Sequence, residues 1–440
     1  MQLPTQFLHN KIKPALFINA SIKLGRSVFI SAVMLLAVVS FSAAPSVWAK
    51  DGNGQHWVGT WSASPMAANS VPGATSPSFS NQTLRHVTHI SIGGDQVRVR
   101  LSNAYGKDSL VIGAAHIALH GGAAAIVNGS DRALSFRGQT SVTIPAGALV
   151  LSDPVQLKVP ALADLAVSIY VPDKTEPATW HQLGMQSTYI SPPGNYAGDT
   201  NMPVTATEPS RFWLAGVEVL ASRKVGAIVT IGDSITDGYS STPDTNQRWP
   251  DIFSKRLNAK KGHGNKAVLN QGISGNRVLH DIFGPNALAR FDRDVLAQPG
   301  VTHVVVLEGI NDLGLPGVFV PATETVSADE VITGLQQLAE RAHSKGLKIF
   351  SGTLTPFEGT IFPGYFTPEK EMKRQAINQW IRSSGAFDAV IDFDVATRDP
   401  DQPARLLPAY DSGDHLHPND AGYKAMAETV DLSLFRDDDD

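Results

Sequence analysis

Near residue 223 the chain changes the spacing of its apolar residues, and no other feature of the sequence limits its architecture as strongly. From about His56 to Ser222 the apolar positions come in short stretches such as LVIGAAHIAL, SVTIP, ALVLS, VQLKVP, LAVSIYVP and FWLAGVEVLA, each bounded by Gly, Pro, Asp or Asn. In QVRVRLSN, Val97, Val99 and Leu101 alternate with polar residues, the period of a strand with one buried face. Together with TLRHVTHISI and the turn GGD before it, this segment predicts a hairpin of residues 83–92 against 96–103. Many short strands without a helical period predict an all-β sandwich or jelly roll. Residues 184–209, rich in Pro, Gly, Ser and Thr, read as a long surface loop.

Downstream the apolar runs are continuous: VGAIVTI (225–231), THVVVLEGI (302–310), LKIFSGTL (347–354) and DAVIDF (388–393). Helix-like segments lie between them at 249–260, 327–346 and 369–384. In the second, Ser327 stands as N-cap with Glu330 three residues on, and Gly346 marks the stop. Strands buried on both faces that alternate with helices predict a parallel, doubly wound sheet. The expected fold class is therefore α/β, with a β-sandwich or jelly-roll domain (50–222) ahead of a doubly wound domain (223–436).

The first 49 residues read as an address. Scattered basic residues precede the apolar run 28–41, and a small-residue segment ends at Val47-Trp48-Ala49. This order fits a secretory signal peptide cleaved near Ala49. A retained anchor is the other reading, although fourteen helical residues span only about 21 Å of a ~30 Å hydrocarbon core. Removing 1–49 leaves 32 basic against 41 acidic residues, so the chain lacks the basic stripe of a nucleic-acid binder. Asp437–Asp440 form an acidic tail. The absence of cysteine excludes disulfides, thiol nucleophiles and thiolate metal sites.

In an open parallel sheet, ligands bind at the carboxyl ends of the strands, so the residues after each apolar run carry the information. They are GDSITDG (232–238), NQGISGN (270–276) and EGIND (308–312), with DSGDHLHPND (411–420) near the chain end. A serine hydroxyl needs a base, and His417 is the best-placed candidate. Asp414, three residues earlier, can hold the other imidazole nitrogen. The backbone N–H groups of Ser234 and Gly275 and the Asn311 side-chain amide can supply oxyanion donors, Gly275 being small so that its N–H approaches closely. Thr236 takes the last position of G-x-S-x-G, which disfavours the α/β-hydrolase elbow.

These four blocks resemble the SGNH, or GDSL, hydrolases: Gly232-Asp233-Ser234, Ser274-Gly275, Gly309-Ile310-Asn311-Asp312 and Asp414-His415-Leu416-His417. The resemblance implies a flavodoxin-like three-layer domain, and an oxyanion hole at Ser234, Gly275 and Asn311. GTWSAS and RVRLSNAYG are similar to the β-domain that precedes some secreted members.

Other roles remain open for individual residues. Ser234 can serve as an N-cap, Asp233 can shape its loop, and Asp237 and Asp312 can cap or brace. His415 is a rival base, or with His417 a metal ligand. His263, His280, His303 and His343 read as surface or structural residues. Trp57 and Trp61 can stack on sugar or fill the β core.

The expected activity is that of a secreted or periplasmic serine esterase acting through an acyl-enzyme, without metal or organic cofactor. Its partners would be small-molecule or polysaccharide esters, with short-chain or carbohydrate acetyl esters favoured, and neither nucleic acid nor a stable membrane span after processing. Two alternatives stand beside it: a lipase or lysophospholipase-type acyl hydrolase, and a glycan-binding protein with an inert hydrolase domain.

Overall fold

The last antiparallel strand ends at Ser222 and the first parallel strand begins at Gly226, so the architecture switches where the apolar spacing does. The computed structural model describes residues 54–73, 75–260 and 266–436. The expected leader, its cleavage point, His263 and the acidic tail lie outside the described residues.

Upstream, one antiparallel sheet is built on β1 (Gln55–Ser62), and a second on β2 (Gln82–His89). Strand β3 (Gly94–Ser102) belongs to the first sheet, whereas β4 (Ala114–Gly122), β5 (Asp164–Val171) and β6 (Thr188–Ile190) belong to the second. β7 (Leu214–Ser222) lies between β1 and β3. The expected hairpin of 83–92 with 96–103 is therefore overturned: β2 pairs with β5 and β6, and β3 pairs with β7. Each strand takes both its neighbours within its own sheet: β2 lies between β5 and β6, and β3 lies between β7 on one edge and the strands Leu149–Leu151 and Val155–Val159 on the other. Between β2 and β3 the Ile90 N–H donates to Ala163 O and the Ser91 N–H to Thr60 O, which hands the chain from one sheet to the other.

Residues 184–209 also depart from expectation, because they contribute β6 and the edge strand Ala206–Glu208 to the second sheet. The buried Arg85 guanidinium pins the remainder, donating to the carbonyls of Asp199 (2.9 Å) and Ala197 (3.1 Å), and it also donates to Ala124 O (2.5 Å) in the neighbouring turn. A buried charge is tolerated when each donor finds an acceptor.

Downstream, β8 (Gly226–Gly232), β9 (Lys266–Gly272), β10 (Val301–Leu307), β11 (Lys348–Gly352) and β12 (Ala389–Ile391) form one parallel sheet in the order β9-β8-β10-β11-β12. Val304, Val305 and Val306 on consecutive positions are all fully buried, as residues covered on both faces must be. Each such side chain stabilises the fold by roughly 1.5–3 kcal/mol relative to exposure.

The expected helices are present as α2 (Trp249–Ala259), α3 (Ala328–His343) and α4 (Pro368–Ser383), after the single turn α1 (Ser234–Asp237). α3 opens on the expected capping box, with Ser327 Oγ accepting from the Glu330 N–H and Glu330 Oε2 from the Ser327 N–H. Its buried Val331, Leu335, Leu338 and Ala342 repeat at helical spacing.

The β-rich residues and the parallel sheet share one apolar core, running from Val58 and Trp61 to Leu269 and Val306. β1 packs beside β9, and Gly59 permits the approach, since a Cβ there would lie 2.8 Å from Leu269 Cδ1. Trp61 is core, and the Arg98 guanidinium lies 4.3 Å from the centre of the Trp57 ring.

Candidate active site

β8 delivers Ser234 to the rim of the sheet, and the local sequence fixes how it emerges. Asp233 is the N-cap of α1, its Oδ1 accepting from the Ile235 N–H at 2.9 Å, and Gly238 ends the turn in a left-handed conformation. Ser234 thus starts a helix with its side chain facing the C-terminal block, and its Oγ lies 2.8 Å from His417 Nε2. On the other side of the imidazole, Nδ1 lies 2.6 Å from Asp414 Oδ2. Asp414 Oδ1 accepts from the N–H groups of His417 (2.8 Å) and Leu416 (3.0 Å), which closes the turn and aims the ring. Burial alone would raise the Asp414 pKa, yet the hydrogen bond and charge of His417, with those two N–H groups, hold it well below the ordinary carboxylate range. Asp414 therefore stays ionised and holds the Nδ1 side of the His417 ring, which turns Nε2 toward Ser234 Oγ. His415 turns away and pairs with Asp411, so it does not approach Ser234 as a rival base.

The three expected oxyanion positions lie at the starts of two short helices, Ser234–Asp237 and Ile310–Gly314, and in the turn after β9, and hydrogen bonds tie these segments together. The Ile273 N–H donates to Gly232 O at 2.9 Å, and the Asn311 side-chain amide donates to Asn276 O at 2.9 Å. Among the described residues, the N–H groups of Ser234 and Gly275 have no hydrogen-bond partner. Backbone geometry and packing also require glycine at 275. Its φ is +82°, and a Cβ would fall 2.5 Å from Phe283 Cγ. Asn311 is clamped at both ends of its amide, because Tyr365 donates its hydroxyl to Oδ1 at 2.7 Å while Nδ2 holds Asn276 O. One amide hydrogen remains for a ligand. Burial and the surrounding carboxylates push the Tyr365 pKa well above its ordinary value, so the hydroxyl keeps its proton.

Asp312 braces the second loop, its carboxylate accepting from the N–H groups of Val278 (2.7 Å) and Leu279 (3.0 Å). Burial lifts its pKa to about 6 against those bonds. Asp233 rises further, to about 7, through burial and the charge of Asp312, and burial with Asp233 pushes Glu308 well above the carboxylate range.

Beneath the loops lies Arg290, a residue that sequence reasoning did not single out. Its guanidinium donates to Gln271 O (2.6 Å), Asn276 Oδ1 (2.8 Å), Gly232 O (3.0 Å) and Ser64 Oγ (3.0 Å). The ends of β8 and β9 are thereby held to β-rich residue Ser64. Tyr239 was missed as well. Its ring lies 4.4 Å from that of His417, and Tyr423 donates to its carbonyl at 2.6 Å. Neither residue belongs to a local motif, and only the three-dimensional contact marks them.

Residues 230–425 match the family described as GDSL-like Lipase/Acylhydrolase family. The match takes in the parallel sheet and leaves the β-rich residues outside it. A GDSL-like lipase from Bacteroides thetaiotaomicron is similar in structure, at 20% identity over 47% of this chain and 87% of its own, with a TM-score of 0.35. A catalytic mutant of an acetylxylan esterase from Geobacillus stearothermophilus aligns at 24% identity over 47% of this chain and 94% of its own, with a TM-score of 0.36. No curated protein matches the chain.

Proposed function

We propose that the chain is a serine-dependent carboxylic ester hydrolase, with Ser234, His417 and Asp414 as catalytic residues and Ser234, Gly275 and Asn311 as the oxyanion hole. The observation that carries this reading is the hydrogen-bonded series from Ser234 Oγ through His417 to Asp414. Ser234 Oγ bonds to the ester carbonyl carbon as its proton passes to His417 Nε2. The resulting oxyanion accepts from the N–H groups of Ser234 and Gly275 and from the Asn311 amide. His417 then gives the proton to the departing alkoxide, leaving an acyl-enzyme. Water, deprotonated by the same nitrogen, releases the acid and restores Ser234. Ser234→Ala should abolish p-nitrophenyl acetate hydrolysis without changing the thermal midpoint, and retained turnover by the folded variant refutes the assignment.

Short-chain or carbohydrate acetyl esters are the proposed substrates. A second reading, hydrolysis of longer acyl chains, is favoured by the apolar cluster beside the site. Ile310 and Leu416 flank Asn311 and His417, and Phe357, Tyr365, Phe283 and Phe362 pack with them. Phe319 stands exposed at its edge. Rates on p-nitrophenyl esters of rising chain length separate the two: decline beyond butyrate supports the first, and a maximum at longer chains the second.

The fold proposal is a β-sandwich over 50–222, akin to the domain of some secreted family members, followed by a doubly wound domain over 223–436. The strand handover between the two antiparallel sheets supports the first part. The second is supported by a strand order that reverses beside β8. Secretion after cleavage near Ala49 is likewise proposed. Among the described residues, no helix is long and apolar enough to cross a membrane.

A further inference from the structure

We infer that His181, supplied by the β-rich residues, is a positioning residue for the oxyanion loop, holding Ser274 and Gly275 in place through the Asp237 carboxylate. The inference rests on the serine-hydrolase reading above. It makes the β-rich region a working part of the active site, in addition to any substrate it binds.

The geometry around His181 leaves little freedom. The residue ends the short strand Thr179–His181 and is buried. Its Nδ1 lies 3.0 Å from Ser64 O, and its Nε2 lies 2.9 Å from Asp237 Oδ1 and 3.2 Å from Leu183 O. Carbonyl and carboxylate oxygens only accept, so both ring nitrogens must donate and the ring is an imidazolium. Arg211 and Arg248 line the same small cavity. Burial and Arg211 oppose the charge, but the Asp237 carboxylate outweighs them and the His181 pKa is raised.

Asp237 relays that anchor. It closes α1, the turn that carries Ser234, and its Oδ2 accepts from both the Ser274 N–H (2.9 Å) and the Ser274 hydroxyl (2.8 Å). The next residue is Gly275. Its left-handed backbone against Phe283 allows little local adjustment, so the direction of its N–H follows from where Ser274 is held. Without His181, the buried Asp237 carboxylate loses its cation and Ser64 O loses a donor. Asp237 would then turn toward Arg248, which is already attracted to it, and release the loop.

The test uses the full chain with p-nitrophenyl acetate, comparing His181→Ala, His181→Gln, Ser274→Ala and the double variant His181→Ala/Ser274→Ala. Losing an oxyanion donor outright costs about 10²–10³ in kcat, so a displaced donor should cost roughly 10–100-fold in His181→Ala and less in Ser274→Ala. KM should stay within about twofold, since the donor acts on the transition state. His181→Gln, which retains one donor for Asp237, should recover part of kcat. The double variant should be no worse than His181→Ala, because both substitutions sever one relay.

Wild-type kcat in the folded single variants overturns the inference, as does a double variant whose losses multiply. If the His181 variants fail to fold, Ser274→Ala decides alone: lowered kcat at unchanged KM supports the relay, and wild-type kcat overturns it. No turnover by the wild type refutes the hydrolase reading and this inference with it, whereas an active wild type with unimpaired variants refutes this inference alone.

Discussion

Tyr365→Phe deletes a single oxygen atom, and the structure says what that atom does. The hydroxyl is buried and donates to Asn311 Oδ1 at 2.7 Å, while Asn311 Nδ2 donates to Asn276 O at 2.9 Å. The amide is thus clamped in one orientation, with its remaining N–H free for an oxyanion. Removing the hydroxyl leaves Oδ1 buried without a donor, which costs about 1–3 kcal/mol of stability. Asn276 O still prevents a full amide flip, because two oxygens would then face each other. The donor is loosened and not lost, so kcat should fall by roughly 3–30-fold, less than the 10²–10³ expected when Asn311→Ala removes it. Purified variants assayed with p-nitrophenyl acetate, alongside thermal unfolding, give both quantities. KM should hardly change, and adding Tyr365→Phe to Asn311→Ala should cost little further activity. Wild-type kcat in Tyr365→Phe, when Asn311→Ala is severely impaired, would show that the clamp is irrelevant. Wild-type kcat in Asn311→Ala would remove Asn311 from the oxyanion hole.

Two further outcomes follow from the charges around Ser234. Asp414→Asn should lower kcat by up to about 10⁴-fold by disturbing the imidazole tautomer, and a loss below tenfold in the same ester assay contradicts the role given to Asp414. Asp233 has a folded-state pKa of about 7 against an ordinary 3.8, so the folded chain keeps a proton that the unfolded chain loses between those values. Its contribution is complete below about pH 4 and is lost as pH rises through about 7. Asp233→Asn keeps an oxygen for the Ile235 N–H and should flatten the fall in urea midpoint from pH 5 to pH 8. An unchanged slope means that Asp233 is ionised throughout that range.

The candidate site is legible in the sequence where chemistry and chain order coincide. Ser234, Gly275 and Asn311 each follow a buried parallel strand closely, and Asp414 and His417 share one tight turn, so local spacing marks all five as candidates. The reason for Gly275 was not legible, because its φ and the Phe283 ring are matters of three-dimensional packing. The same holds for His181 and Arg290, whose partners at Asp237, Ser64 and Gly232 lie far away in the chain. The hairpin failed on similar grounds. Adjacent strands with a turn between them look paired, but Gln82–His89 and Gly94–Ser102 each take both their neighbours from distant parts of the chain. Residues 184–209 looked like a loop from composition, and only the carbonyl-binding Arg85 and the pairing of Thr188–Ile190 reveal their order.

The proposed reaction depends on His417 activating the Ser234 hydroxyl. Incubating the wild-type chain with a fluorophosphonate and mapping the adduct by peptide mass spectrometry tests this directly. One phosphonyl group should be found on Ser234, and labelling should be lost in folded His417→Ala. An adduct on another residue, or none on a folded chain, would contradict that role for His417 and Ser234.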